Sequence, residues 1–243
     1  MHPSRPAVTE MDFPRLSRYL AELAANNDKQ WFDANRAEFQ ALREDFAAYV
    51  GRVIAGIAEW DASVRWVDPA DCIYRIYRDV RFSRDKTPYK TTFSAVIHER
   101  GRRGGGPSYY FQVDHAGTLM AGGGVWMPEP ERLALIREHV AGHPERLQAI
   151  LDAPDFRAAF DGLWDGHTLK RPPAGYAADA PMIGIIKLKS FIVERERDVS
   201  SERDVSSERG DATPWLLETF RAMHPFLAWL GEAVTPRDGA RER

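Results

Sequence analysis

A change of hydrophobic period near residue 68 constrains this chain more than any other feature. Before it, Phe32, Phe39, Leu42, Phe46, Val50, Val53 and Ile57 recur at helical spacing and form one apolar stripe over Lys29 to Trp60. Such a stripe buries one face of a helix. After Asp68-Pro69 the apolar residues run together or alternate. Ile73 to Phe82 reads as a strand rich in β-branched and aromatic residues. Ser83 to Pro88 reads as a loop, because proline cannot donate within a central strand. Phe93, Ala95 and Ile97 share one face of the next strand, and Tyr109, Phe111 and Val113 one face of another. Asp114 to Gly117 is a hairpin turn with Thr118 to Ala121 as the return strand. Connections this short imply antiparallel pairing, hence an α+β fold with a mostly antiparallel sheet over about residues 72–121, plus a late strand, packed on N-terminal and C-terminal helices.

The flanks agree with that class. Phe13, Leu16, Leu20 and Leu23 predict a short first helix, which Asn26-Asn27-Asp28 ends while capping the next. Helices are expected over Pro128 to Ala141, once or twice within Pro144 to Phe160, and over Thr213 to Val234. Residues 166 to 181 read as a long loop, and Ile183 to Val193 as a helical turn followed by a strand. The expected organisation is a disordered arm over residues 1–11, one α+β domain over 12–235 and a disordered tail over 236–243. Within it, a polar loop at 196–210 carries RDVSSE twice in tandem over 197–208 and reads as an insertion rather than a solenoid period.

The chain has 243 residues and 44% hydrophobic content, enough to bury a substantial core. The one cysteine, Cys72, allows no intramolecular disulfide, fits a reducing compartment and reads as a small core residue. No apolar run follows the basic start, and none approaches the ~18 residues of a membrane span. A cytoplasmic protein without a membrane partner is expected.

Chemistry concentrates in IYRIYRDVRFSRDKTPYKTT, residues 73 to 92. Arg75, Arg78, Arg81, Arg84, Lys86 and Lys90 stand there against Asp79 and Asp85, a local charge of +4 in a chain of net −3. Arginine grips carboxylate or phosphate with a planar fork, and lysine adds a compact charge. The candidate ligand-binding set is Arg78, Asp79, Arg81, Ser83, Arg84, Asp85, Lys86, Tyr89 and Lys90, with Lys170 and Arg171 on a second, stiff basic loop. Three readings stand. The segment binds, and in an enzymatic version acts on, a phosphate-bearing small molecule, its cations stabilising negative charge while an aspartate handles protons. Alternatively, it binds nucleic acid with Tyr74, Tyr77 and Tyr89 stacking on bases; the acidic net charge leaves room only for a local basic groove. Or its Arg-Asp network only holds the fold of a non-catalytic interaction domain.

Other motifs add less. Gly104-Gly105-Gly106 and Gly122-Gly123-Gly124 match neither a P-loop nor a dinucleotide fingerprint, so no cofactor is expected. Gly122-Gly123-Gly124 is read as a tight turn ending the sheet, with close packing. His139 and His143 lack a third ligand, so no metal is expected either. No nucleophile elbow is present, and catalytic residues stay unassigned. Trp31 and Phe32, after the Asn26-Asn27 cap, are read as core aromatics.

Four segments occur in order: NNDKQWFDANRAEF (26 to 39), YRIYRDVRFSRDKTPYKT (74 to 91), GGGVWMPEPERLALIR (122 to 137) and LKRPPAGY (169 to 176). Together they resemble the family catalogued as domain of unknown function 2461, over roughly residues 12 to 230. The resemblance brings no activity, substrate or catalytic residue. It implies that Arg78, Asp79, Arg81, Phe82, Ser83, Asp85, Lys86, Pro88, Tyr89 and Lys90 act as a unit.

Overall fold

The computed structural model describes residues 10–200 and 211–234. The expected arm, tail and most of the duplicated loop therefore lie outside the described residues. Met11, at the edge of that arm, is buried against the fold.

Helix α1 (Phe13–Ala25) starts where the Asp12 side chain accepts from the Arg15 N–H at 2.8 Å. It buries Leu16, Leu20 and Leu23, the stripe its spacing predicts. The helix expected from Lys29 to Trp60 is instead two, α2 (Lys29–Ala34) and α3 (Arg36–Ile57). Asn35 makes the break: its side-chain amide donates to the Trp31 carbonyl at 2.9 Å, a local bond that competes with the helix. On α3, Phe46 meets Phe93 and Phe111 with ring centroids 5.4 and 5.5 Å apart.

The sheet has four strands, β1 (Thr92–Ile97), β2 (Ser108–Asp114), β3 (Thr118–Val125) and β4 (Phe191–Asp198), in the order β1-β2-β3-β4 and antiparallel. Helices α5 (Pro130–Gly142), α6 (Pro144–Leu151), α7 (Pro154–Ala159) and the short α8 (Ile183–Ile186) separate β3 from β4, and α9 (Thr213–Val234) follows. The fold is α+β.

Residues 196–198, expected in the polar loop, instead continue β4, and two further expectations need correction. Ile73 to Phe82 is not a strand. Asp68 caps a helical turn, α4 (Pro69–Cys72), with Pro69 at its first position, and beyond it only the isolated bridges Ile73 to Ala95 and Tyr77 to Tyr89 pair. Nor does Gly122-Gly123-Gly124 end the sheet: all three lie inside β3. A Cβ on Gly122 would sit 2.5 Å from the Val193 carbonyl oxygen, one on Gly123 2.5 Å from Met223 Sδ, and one on Gly124 would collide with the Phe191 carbonyl. These glycines are there for close backbone approach.

The chain divides into two compact units. The first holds the residues up to Arg102, Phe111–Met120 and Glu196–Leu217; the second holds Arg103–Tyr110, Ala121–Arg195 and the chain from Glu218. The first unit's core is built on Phe32, Leu42, Phe46, Val53, Ile97 and Phe111. The second's is built on Ile136, Val140, Phe191, Phe220, Phe226 and Trp229.

Candidate functional site

The basic segment forms an irregular arm within the first unit, and its base is clamped. Asp28 caps α2 by accepting from the Trp31 N–H at 2.9 Å, which presents the neighbouring Asn27 side chain to the arm. The Asn27 amide donates to the Tyr89 carbonyl at 3.0 Å, and its oxygen accepts from the Tyr89 N–H at 3.0 Å. Asn27 thus stands in for a neighbouring strand. Phe32, fully buried, stacks on the Tyr89 ring at 4.1 Å and 16°. Tyr77 closes the group, 5.5 Å from Tyr89. The NNDKQWF and PYK motifs, far apart in sequence, meet here. Trp31-Phe32 therefore follows its cap with a core aromatic, as expected for Phe32.

Above the clamp the pairing is out of step. From the first bridge to the second, Tyr77 lies four residues after Ile73, whereas Ala95, the partner of Ile73, lies six after Tyr89, the partner of Tyr77. Two residues therefore bulge from the Lys90 side, between the bonds Lys90 N–H to Ile76 carbonyl (2.8 Å) and Tyr74 N–H to Ser94 carbonyl (3.0 Å).

The tip of the arm spends its charges on itself. Arg78, 27% exposed, donates to Asp85 Oδ2 at 2.5 Å, to the Thr87 carbonyl at 3.1 Å and to the Thr87 hydroxyl. Asp85 also accepts from the Thr87 N–H at 2.9 Å. That backbone bond, followed by the Arg78 and Thr87 side chains, pulls the Asp85 carboxyl down to about 2. Arg81 grips Asp79 with two bonds of 3.0 and 2.6 Å and holds its pKa below the usual value. Lys86 Nζ donates to the Val80 carbonyl at 2.9 Å, and the Ser83 N–H donates to the same carbonyl at 3.3 Å. Arg81 stays 77% exposed, so its pairing organises the loop without burying it.

The stem differs. Lys90 is half-buried, with Nζ 5.1 Å from the centroid of the Tyr74 ring. Burial lowers its ammonium pKa, and the charge of Arg75 lowers it further. Asp79 feels Arg75, but both its oxygens are taken by Arg81. Arg102 adds a third cation beside this group: it donates to the Ile73 carbonyl, and its charge opposes the rise that burial gives the Tyr74 phenol. Arg84 is exposed at the tip. Among the described residues, neither Arg75, Arg84 nor Lys90 makes an ion pair with a carboxylate.

Lys170 and Arg171 belong to the second unit, exposed on the loop between α7 and α8. His143 caps α5, its ring 4.5 Å from that of His139. Among the described residues no three His, Cys, Asp or Glu side chains group as metal ligands. Cys72 is buried, and burial raises its thiol to about 11. Sequence reasoning missed the Asn27 clamp and the place of Arg102 beside the stem. Local patterning marks Asn26-Asn27-Asp28 as a helix boundary and cap, and gives no sign of the Asn27 bonds to Tyr89 or of the Arg102 bond to Ile73.

A family model described as a conserved hypothetical protein (DUF2461) matches residues 15–229. No curated protein and no solved structure matches the chain. The chain belongs to this family of unknown function.

Proposed function

We propose that this member of the family binds a phosphate-bearing small molecule at the stem of the arm, through Lys90, Arg75 and the Tyr74 ring, with Arg84 and the self-paired tip as a rim. The observation that carries the reading is the like-charge pair. Lys90 is partly desolvated, feels Arg75, and among the described residues makes no ion pair with an acid. Burying a charge beside another of the same sign is unfavourable, and an anion relieves both terms together. Perturbed groups of this kind concentrate at functional sites. The tip supports the reading as scaffold: Arg78-Asp85-Thr87 and Arg81-Asp79 fix the loop and leave the stem cations available.

A second reading, single-stranded nucleic acid, is favoured by one observation. Tyr74, Tyr77 and Phe82 are 39%, 47% and 96% exposed among the cations, as stacking platforms require.

Thermal-shift and calorimetric titration with inorganic phosphate, ATP, a sugar phosphate and a short oligothymidylate separates the two. The first reading expects saturable stabilisation by a mononucleotide or sugar phosphate, lost in Lys90→Gln and Arg75→Gln proteins of unchanged melting temperature. Tighter binding to longer oligonucleotides, falling steeply with salt and lost in Phe82→Ala, selects the second. No response to any probe rejects both.

A further inference from the structure

A second group of aromatics, Trp126 and His167 exposed and Trp164 half-buried, lies entirely within the second unit. Strand β3 ends at Val125, and the next two residues, Trp126 and Met127, are 57% and 51% exposed. Met127 has φ 42°, left-handed backbone that residues other than glycine rarely adopt. Its N–H is held at 3.0 Å by the hydroxyl of Ser190, itself 1% exposed. The loop after α7 supplies two more rings. Its backbone is tied at three points: Trp164 N–H to the Ile192 carbonyl at 2.9 Å, Lys189 N–H to the His167 carbonyl at 3.0 Å, and a bridge from Thr168 to Leu188. The Trp164 ring lies over Gly166, where any Cβ would run into it. Ring centroids are 5.1 Å apart for Trp126 and Trp164, 5.9 Å for Trp126 and His167, and 5.0 Å for Trp164 and His167, inclined at 52°, 45° and 85°.

We propose that Trp126, Trp164 and His167 form a binding site for a small alkylated ammonium ion. Three centroids this close let one cation above their common edge lie within about 6 Å of all three, the range over which an aromatic face attracts positive charge; tryptophan is the strongest such face. Among the described residues, the chain's own cation-on-ring contacts fall elsewhere, on Phe32, Tyr49, Phe82 and Tyr74. Asp161 and Asp165 are exposed on the same loop, but so are Lys170 and Arg171 further along it, so the ring faces and not a net local charge carry the attraction. Alkylation matters because a bare ammonium is strongly hydrated and leaves water reluctantly, whereas a methylated one loses less on moving onto apolar rings. A purely apolar partner would gain nothing from the negative faces of the rings. This site is independent of the proposed phosphate site, and neither depends on the other's occupancy.

The test is a tryptophan-fluorescence titration of the full chain with choline, set against 3,3-dimethylbutan-1-ol, its neutral isostere. The proposal expects saturable quenching by choline and at least about tenfold weaker binding of the isostere. Trp126→Ala and Trp164→Ala should each weaken choline about fivefold or more, Asp165→Asn by less, while Trp66→Ala, at a site 90% exposed in the first unit, binds normally. Should a variant not fold, indole N–H shifts in wild-type protein decide: choline should move the Trp126 and Trp164 signals and no others of the seven tryptophans. Equal binding of the isostere overturns the proposal in favour of a generic apolar patch. So does binding retained in both alanine variants, or no response to choline at all.

Discussion

The tip and the stem of the basic arm carry the same residue types and use them oppositely. At the tip, Arg78 and Arg81 each have a carboxylate, and both acids sit below their ordinary pKa values, Asp85 through the Thr87 N–H first and Arg78 second, Asp79 through Arg81. At the stem, Lys90 is the half-buried cation and its pKa falls, because burial and Arg75 both oppose its charge. A lowered acid is a stabilised charge, whereas a lowered base is a strained one. The shifts therefore separate scaffold from candidate site within one short segment, where charge counting sees a single basic patch.

The strongest way to break this contrast is to remove the base both halves share. Phe32 is fully buried and stacked on Tyr89, so Phe32→Ala should cost about 3–5 kcal/mol in urea denaturation. Asn27→Ala leaves the Tyr89 N–H and carbonyl without their partner and should cost about 1–3 kcal/mol. A loss under about 0.5 kcal/mol for Asn27→Ala, the range of an ordinary surface change, would mean that the arm is not held there.

The next test sharpens the tip alone. Arg78→Ala removes a part-buried bond to the Thr87 carbonyl, worth on the order of 1 kcal/mol. It also changes the acid limb of the stability profile. The Asp85 carboxyl titrates near 2 in the fold, below the ~3.9 of an unfolded aspartate. Its contribution is therefore complete above about pH 4 and is lost as pH falls through the folded value. Asp85→Asn should flatten that part of the melting curve between about pH 4 and 2, and Arg78→Ala should flatten it less, because the Thr87 N–H bond remains. An acid limb identical to wild type in Asp85→Asn would remove the tip's claim to be a charge-stabilised scaffold.

What the sequence could carry follows the same division. Local periodicity places α1, the β2–β3 turn and both ends of α9, because each depends on neighbours within a few residues. It misplaces Ile73 to Phe82, where strand-like composition finds only two bridges to pair with. Helix α3 ends within the expected stretch, but its start is shifted by one asparagine side chain folding back on Trp31. The charge of the site is legible and its partition is not. Arginines spaced by three say nothing of which has an aspartate two residues away in usable geometry and which faces Lys90. Asn27 meets Tyr89 across 62 residues, a separation at which no periodic signal survives.

The smallest effect is the most discriminating, because its sign is opposite to that of every change above. Lys90 has a folded pKa below its unfolded value, with burial the larger cause and Arg75 the second. Its charge therefore weakens the fold at neutral pH, and the penalty fades as pH rises through the folded pKa toward the ordinary lysine value near ~10.4. Lys90→Met keeps the stem over the Tyr74 ring and deletes the charge, so its melting temperature at pH 7 should equal or slightly exceed that of wild type. The gap should close as the pH approaches 10. Adding a phosphate-bearing ligand should reverse the ranking, stabilising wild type and leaving Lys90→Met unmoved. A Lys90→Met protein clearly less stable than wild type without ligand would show that the ammonium is satisfied within the fold. Stem and tip would then be one structural network, and the case for an anion at the stem would go with it.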